Sequence, residues 1–308
     1  MTWFGIATYE LNGRIATGLA VGEALYDALD VLKALSASQS AALAGLGTLI
    51  ADWASSGAAA VESFEAAARA IEAGALDIKP LAGHALRVPY QPRRIFAAAS
   101  NYYEHAQEMG TELAPREEST PYIFMKAETS VVPTLANVVI PPHAERVDWE
   151  VELAVVIGRS GRHIAKENAY DYIAGYTILN DVSARDLNRR TDYPFKHDWF
   201  RGKSFDTFGP LGPWFVPRAC IAEPQNLRMR LAVNGETMQD GNTSGMIFNI
   251  AEQIEYLSAI LTLQPGDLIA TGTPTGVGMG RGIYLKAGDV MVASIDGIGS
   301  IENPLVAG

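Results

Sequence analysis

The stretch Val147-Asp148-Trp149-Glu150-Val151-Glu152-Leu153-Ala154-Val155-Val156-Ile157-Gly158 narrows the possible folds of this chain more than any other. Side chains of a strand alternate between its faces, so Val151, Leu153, Val155 and Ile157 share one face. Asp148, Glu150, Glu152, Ala154 and Val156 share the other. A solvated face would continue polar, but this one continues as Ala and Val, so it reads as largely buried. Two carboxylates side by side on such a face repel each other and lose hydration. A divalent cation is the simplest compensation. The bland alternative is a strand end whose acids reach solvent or an arginine.

A third acid stands in a similar setting. Tyr172-Ile173-Ala174-Gly175-Tyr176-Thr177-Ile178-Leu179-Asn180-Asp181 reads as a strand ending in Asp181. If the two strands are neighbours, Glu150, Glu152 and Asp181 offer three oxygen ligands, a set that favours Mg²⁺, Mn²⁺ or Ca²⁺ over zinc. Alone, Asp181 would be a turn or helix-cap residue.

The chain around these segments has 308 residues, about twice a usual ~150-residue domain. Residues 3–21 read as a hairpin about Asn12-Gly13, since both central residues of such a turn need φ > 0. Residues 23–76 are Ala-rich, with apolar residues at helical spacing (Leu43, Leu46, Ile50, Trp53; Phe64, Ala68, Ile71). Ser36 to Ser40 and Ser55-Ser56-Gly57 divide this region into about three short helices. From Pro80 onward short strands with frequent Gly and Pro take over, at 94–99, 121–125, 150–157, 173–179, 212–216, 227–233, 267–271 and 289–295. A helix is expected at 249–262. The expected organisation is a small accessory domain over 1–80 and a catalytic domain over 81–308.

Composition limits the functional classes. At 48% hydrophobic and 19% charged residues, the chain can bury a sizeable core, which excludes disorder as its main state. No apolar run of about 18 residues is present to span a membrane, and no secretory signal is visible at the N-terminus. The single cysteine, Cys220, forms no internal disulfide and fits a reducing cytoplasm. A net charge of −11 repels phosphate backbones, so nucleic acid is not expected as a partner. A small anionic substrate stays open, because a local cation or bound metal reverses the field within one cleft.

Six motifs in order resemble the fumarylacetoacetate hydrolase family. They are Asn101-Tyr102-Tyr103-Glu104-His105-Ala106-Gln107-Glu108, Asp148-Trp149-Glu150-Val151-Glu152-Leu153-Ala154 and Asn180-Asp181-Val182-Ser183-Ala184-Arg185-Asp186, followed by Gly202-Lys203-Ser204-Phe205-Asp206-Thr207-Phe208-Gly209-Pro210, Asn242-Thr243-Ser244-Gly245-Met246-Ile247-Phe248 and Thr271-Gly272-Thr273-Pro274-Thr275-Gly276-Val277-Gly278. The resemblance covers about residues 80–306. It implies a mixed α+β fold with a mixed β-roll catalytic domain and a small α/β N-terminal domain, a homodimer, and a divalent metal at the mouth of the roll. The implied ligands are Glu150, Glu152 and Asp181. Ala98-Ala99-Ser100-Asn101 holds no aspartate that could serve as a fourth.

The same resemblance assigns His105 and Glu108 to water activation, on a segment that often orders only when substrate binds, and places Lys203 near the metal, facing developing oxyanion charge. Arg185 could pair with Asp181 or Asp186, or reach the substrate. Asn188 stands where members often carry glutamine, which leaves a distal substrate contact open. Lys126 is expected as a further cation near the substrate, and Thr273 as a donor to its carboxylate. His197 lies in an aromatic and charged insert, Thr191 to Arg201, that could shape the pocket or serve as a loop or dimer contact. The implied reaction is metal-dependent hydrolysis of the C–C bond of a β-diketo acid, an acylpyruvate such as fumarylpyruvate or a diketo-deoxy sugar acid. Rival readings are an oxaloacetate decarboxylase or keto–enol tautomerase, a sugar-acid dehydratase, and a non-catalytic metal-binding interaction protein.

Overall fold

The computed structural model describes residues 1–110 and 112–308. Its centre is a large mixed sheet. Across it the strands run Ala24–Asp27, Arg14–Val21, Gly5–Leu11, Gly209–Pro217, Ile173–Asn180, Val151–Ile157, Leu268–Ala270, Ile95–Ala99 and Tyr122–Lys126. Most neighbours are antiparallel, but Leu268–Ala270 runs parallel to Ile95–Ala99. A second sheet has the order Glu236–Asn242, Arg228–Val233, Val290–Ile295, Gly299–Ala307 and Val138–Ile140.

The strand Val151–Ile157 is buried along its whole length, on both faces. Val151, Leu153, Val155 and Ile157 pack with Met229, Leu231, Met291 and Ala293 of the second sheet. Ala154 and Val156 face the other way, into a core with Phe4, Leu32, Ile50 and Phe64 from the N-terminal region. Such a strand gains from packing on two sides and offers solvent no polar face.

The N-terminal hairpin forms as the Asn-Gly turn requires, with Asn12 at φ 52° and Gly13 at φ 78°. The Ala-rich region differs from expectation. It holds a third strand, Ala24–Asp27, and four helices: Ala28–Ala34, Ser40–Ala44, Leu46–Ala51 and Trp53–Glu72. Ser55-Ser56-Gly57 lies inside the last of these. Both serine hydroxyls donate back to the Asp52 carbonyl at the start of the helix. Gly57 packs beneath Trp53, where a Cβ would meet the indole at 2.6 Å. Serine and glycine here serve a helix start and a close contact, not a break.

The texture of the chain changes at residue 80, but the sheet continues across that point. Ile6 of the first strand pairs with Phe215, and the second core draws on both regions. The helix Ile250–Ile260 starts at a reciprocal cap, with Asn249 Oδ1 accepting from Glu252 N–H and the Glu252 carboxylate accepting from Asn249 N–H. Among the described residues, no helix is long and apolar enough to cross a membrane.

Candidate metal centre and catalytic cavity

The antiparallel register puts Val151 opposite Asn180, and the Asp181 N–H donates to the Glu150 carbonyl at 2.8 Å. Asp181 therefore meets Glu150 across the strand pair, and Glu152 follows two residues further along the same face. Ligand oxygens of Glu150, Glu152 and Asp181 lie within 4.8 Å of one another, all buried. Two side-chain amides hold this geometry. Asn180 Oδ1 accepts from Glu150 N–H at 2.9 Å, and Gln239 Oε1 accepts from Val151 N–H at 3.0 Å.

Three cations surround the cluster. Lys203 Nζ donates to Glu150 Oε2 at 2.7 Å and Asp181 Oδ2 at 2.6 Å. Lys126 Nζ lies 2.9 Å from Asp181 Oδ1, and Arg185 Nη2 lies 2.7 Å from Glu150 Oε1. Burial works against the Glu150 charge, but Lys203 and Arg185 outweigh it and hold its carboxyl at about 2. Glu152 is the exception. It accepts only the Gly272 N–H, at 2.8 Å, and no cation contacts it among the described residues. Burial, then the charges of Asp181 and Glu150, push its carboxyl well above the usual range. Counted with Asp148, four buried carboxylates face three cations, and the surplus charge rests on Glu152. An all-oxygen set with an uncompensated buried carboxylate fits a divalent cation.

Several positions differ from those expected. Arg185 pairs with neither Asp181 nor Asp186. Its Nε donates to Asp148 Oδ2 at 2.8 Å, and Asp186 instead accepts from the Glu145 and Arg146 amides. Asp148 is fully buried and also accepts from Gly278 N–H at 2.6 Å and Met279 N–H at 3.0 Å. It thus ties Arg185 to the Gly-rich segment after residue 271. Lys126 is buried beneath Asp181, also donates to the Lys203 carbonyl, and takes no part in the cavity wall. Thr273 does border the cavity, but its hydroxyl donates to the Val151 carbonyl at 2.9 Å and accepts from Gln239.

The cavity beside the carboxylates has a volume of about 720 Å³. Glu150, Lys203, Arg185, Asn188 and His105 all border it. His105 lies on the short helix Tyr103–Glu108, with Nδ1 3.5 Å from Glu108 Oε2. That contact is longer than a well-formed hydrogen bond. Both oxygens of Glu108 accept from Gly276 N–H, at 3.1 and 3.0 Å. Burial raises the Glu108 carboxyl, but His105 and the Gly276 amide prevail and leave it below its ordinary value. Gly276 sits at φ 101°, and a Cβ there would lie 2.1 Å from the Met238 carbonyl, so only glycine presents this amide. The geometry thus brings His105, the buried Lys203 and Glu150 of the acid cluster to one cavity.

That combination defines a class of site, a buried carboxylate cluster beside a histidine and a lysine on a mixed α+β fold. The model of the fumarylacetoacetate hydrolase C-terminal domain matches residues 94–306, and the chain belongs to this family. Among curated relatives, the mitochondrial oxaloacetate tautomerase FAHD2A of Homo sapiens is 43% identical over 218 residues, covering 70% of this chain and 67% of that protein. Similar solved structures include the fumarylacetoacetate hydrolase of Exiguobacterium antarcticum, with a TM-score of 0.77 and 30% identity over 99% of this chain and 100% of that one. The maleylpyruvate hydrolase of Sphingobium sp. SYK-6, in complex with manganese(II) and pyruvate, matches with a TM-score of 0.72 and 30% identity over 99% of each chain.

Proposed function

We propose that this protein is a divalent-metal-dependent hydrolase that cleaves the C–C bond of an acylpyruvate. One observation carries this reading: His105, with Glu108 3.5 Å from its Nδ1, borders the same cavity as Glu150 and Lys203. Holding a metal needs neither the histidine nor its carboxylate, whereas activating water needs both. Similarity to a hydrolase solved with manganese(II) and pyruvate supports the reading over the full chain length.

Glu150, Glu152 and Asp181 would hold the ion, with Mg²⁺ the first candidate and Mn²⁺ or Ca²⁺ close alternatives. When bound, it supplies Lewis-acid polarisation of the keto acid. The remaining work falls to the chain. Glu108, fixed by the Gly276 amide, faces His105 Nδ1 and orients the ring, so that His105 accepts the proton of the attacking water at Nε2. Water adds to the acyl carbonyl carbon, and the bond from that carbon to the methylene breaks. The methylene takes up a proton, giving pyruvate and a carboxylic acid. Lys203 and Arg185 supply positive charge to the wall where negative charge develops.

A second reading has specific support. A relative 43% identical over most of the catalytic region is an oxaloacetate tautomerase, and that reaction needs proton transfer without attack by water. The test is a panel of acylpyruvates with added Mg²⁺ or Mn²⁺, following loss of enol absorbance and appearance of pyruvate. His105→Ala should lower cleavage by about 10²–10⁴-fold while metal affinity is retained. Oxaloacetate enol–keto conversion outrunning every cleavage by the wild type would establish the tautomerase reading instead.

A further inference from the structure

The motif Asn242 to Phe248 supplies nothing to the acid cluster, yet its last three residues meet the chain just ahead of the His105 helix. Tyr102 and Met246 form an antiparallel bridge, and Ile247 N–H donates to the Asn101 carbonyl at 2.8 Å. The buried side chain of Asn101 extends this contact. Its Oδ1 accepts from Phe248 N–H at 2.9 Å, and its Nδ2 donates to the Phe248 carbonyl at 3.0 Å. The same Nδ2 donates to the Thr271 carbonyl at 2.8 Å. Strand pairing explains that last bond. Ile95–Ala99 and Leu268–Ala270 run parallel with Ala97 beside Ala270, so the chain reaches Asn101 and Thr271 at the same edge of the sheet.

The segment from Thr271 to Gly276 is fastened on two sides. Towards the acid strand, Thr271 N–H and Oγ1 both donate to the Leu153 carbonyl, at 3.1 and 2.8 Å. Gly272 N–H donates to Glu152, and Thr273 Oγ1 to the Val151 carbonyl. Towards the His105 helix, Asn101 reaches Thr271 ahead of the first turn, and Glu108 in the last turn accepts from Gly276 N–H. The helix spans only Tyr103–Glu108, too short to hold its shape in water, so its placement depends on its surroundings. Both of these end contacts lead to the segment that is bound to Glu152.

We propose that Asn101 is a positioning residue for His105. By tying the chain ahead of the helix to Thr271, it sets the distance of the histidine from the acid cluster. This deepens the hydrolase reading above and rests on it. Asn101 takes no part in the cavity wall, so it acts through His105 and not on substrate. The site suits an asparagine. A carboxamide has an acceptor oxygen and two N–H donors, and the Phe248 amide, the Phe248 carbonyl and the Thr271 carbonyl use all three. Aspartate would set lone pairs against both carbonyls. Glutamine is one methylene longer, and the space is close: a Cβ on Gly272 would stand 2.8 Å from the Asn101 Cβ. A displacement of about 1 Å at a reacting group can cost about 10²-fold in rate.

The experiment makes Asn101→Ala alone and together with His105→Ala in full-length, Mn²⁺-loaded protein, and follows acylpyruvate cleavage by pyruvate release. Alone, the substitution should lower kcat by about 10–100-fold, with KM and Mn²⁺ affinity within about threefold of wild type. In the His105→Ala background it should cost less than about threefold, because the group it positions is gone. The metal-free protein gives a second readout: amides of residues 103–108 should exchange with solvent about tenfold faster or more in Asn101→Ala. Gln253 Nε2 also donates to the Phe248 carbonyl, at 2.9 Å, so the variant keeps one partner there. If it nonetheless fails to fold, the same measurements are made on Asn101→Ser, whose hydroxyl can donate to one carbonyl. An unchanged kcat, a loss that adds in full to that of His105→Ala, or unchanged exchange at 103–108 would each overturn the positioning role and leave the hydrolase reading intact. No cleavage by the wild type, or equal cleavage by wild type and His105→Ala, would overturn that reading, and the role of Asn101 with it.

Discussion

Glu152→Gln should make the metal-free protein more stable while removing its response to metal. The amide keeps the shape of the side chain and an oxygen for the Gly272 N–H, but removes the carboxylate of the cluster that no cation contacts among the described residues. The unfolded carboxyl loses its proton near 4.5, whereas the folded one keeps it to higher pH. Between those values the folded state binds more protons, so wild-type stability without metal falls as pH rises through that window. Each unit of separation is worth about 1.4 kcal/mol. For a chain of 308 residues, 1 kcal/mol moves Tm by about 1.5 °C. The variant should therefore melt above wild type at pH 8 in EDTA, with the gap closing towards pH 4. Adding Mn²⁺ at about 100 times Kd should stabilise wild type by about 2.7 kcal/mol, about 4 °C, and leave the variant unmoved. The assay is thermal melting across pH with and without metal. A variant that melts below wild type at pH 8 in EDTA, or one that Mn²⁺ stabilises equally, would refute this account of Glu152.

Two further substitutions follow from the ion pairs. Lys203→Met removes the ammonium shared by Glu150 and Asp181, so the metal-free protein should lose about 3–5 kcal/mol in chemical denaturation. With metal restored, kcat should still fall by about 10²-fold or more, and an unchanged kcat would leave Lys203 only a structural role. Asp148→Asn sets amide hydrogens against Arg185, Gly278 or Met279, all of which donate, so Tm should drop by about 5 °C or more. A Tm equal to wild type would mean the Asp148 network contributes little to stability.

The acid cluster was legible because its signal is local: alternation puts Glu150 and Glu152 on one face, and that face continues as Ala154 and Val156. Asp181 joined them by a strand pairing that the sequence could suggest but not require. Asp148, Asn180 and Gln239 were missed for a common physical reason. Each acts on backbone amides brought close only by folding, such as Gly278 or Val151, and an amide leaves no trace in residue identity. For Arg185, the pairing alternative named Asp181 and Asp186, its neighbours in sequence, whereas its partners in space are Asp148 and Glu150. The Ser55-Ser56-Gly57 tripeptide misled for the opposite reason, since its turn chemistry is local but Trp53 overrides it. Glu108 was found through the family motif. Its anchor, the Gly276 amide, required the φ of 101° that only the structure reveals.

The strand that carries the acids is covered by a core on each side, whereas the Arg189–His197 loop is held by a few hydrogen bonds at its base. Amide protons of Val151–Ile157 should therefore exchange with solvent only when the whole molecule opens, and those of the loop through local opening alone. Such a difference matters for inheritance as well as for dynamics. Mutations in the loop can be sampled at almost no stability cost, while mutations in the strand are purged before their chemistry is tested. Descendants of such a protein would keep one way of handling a keto acid and vary what is attached to it.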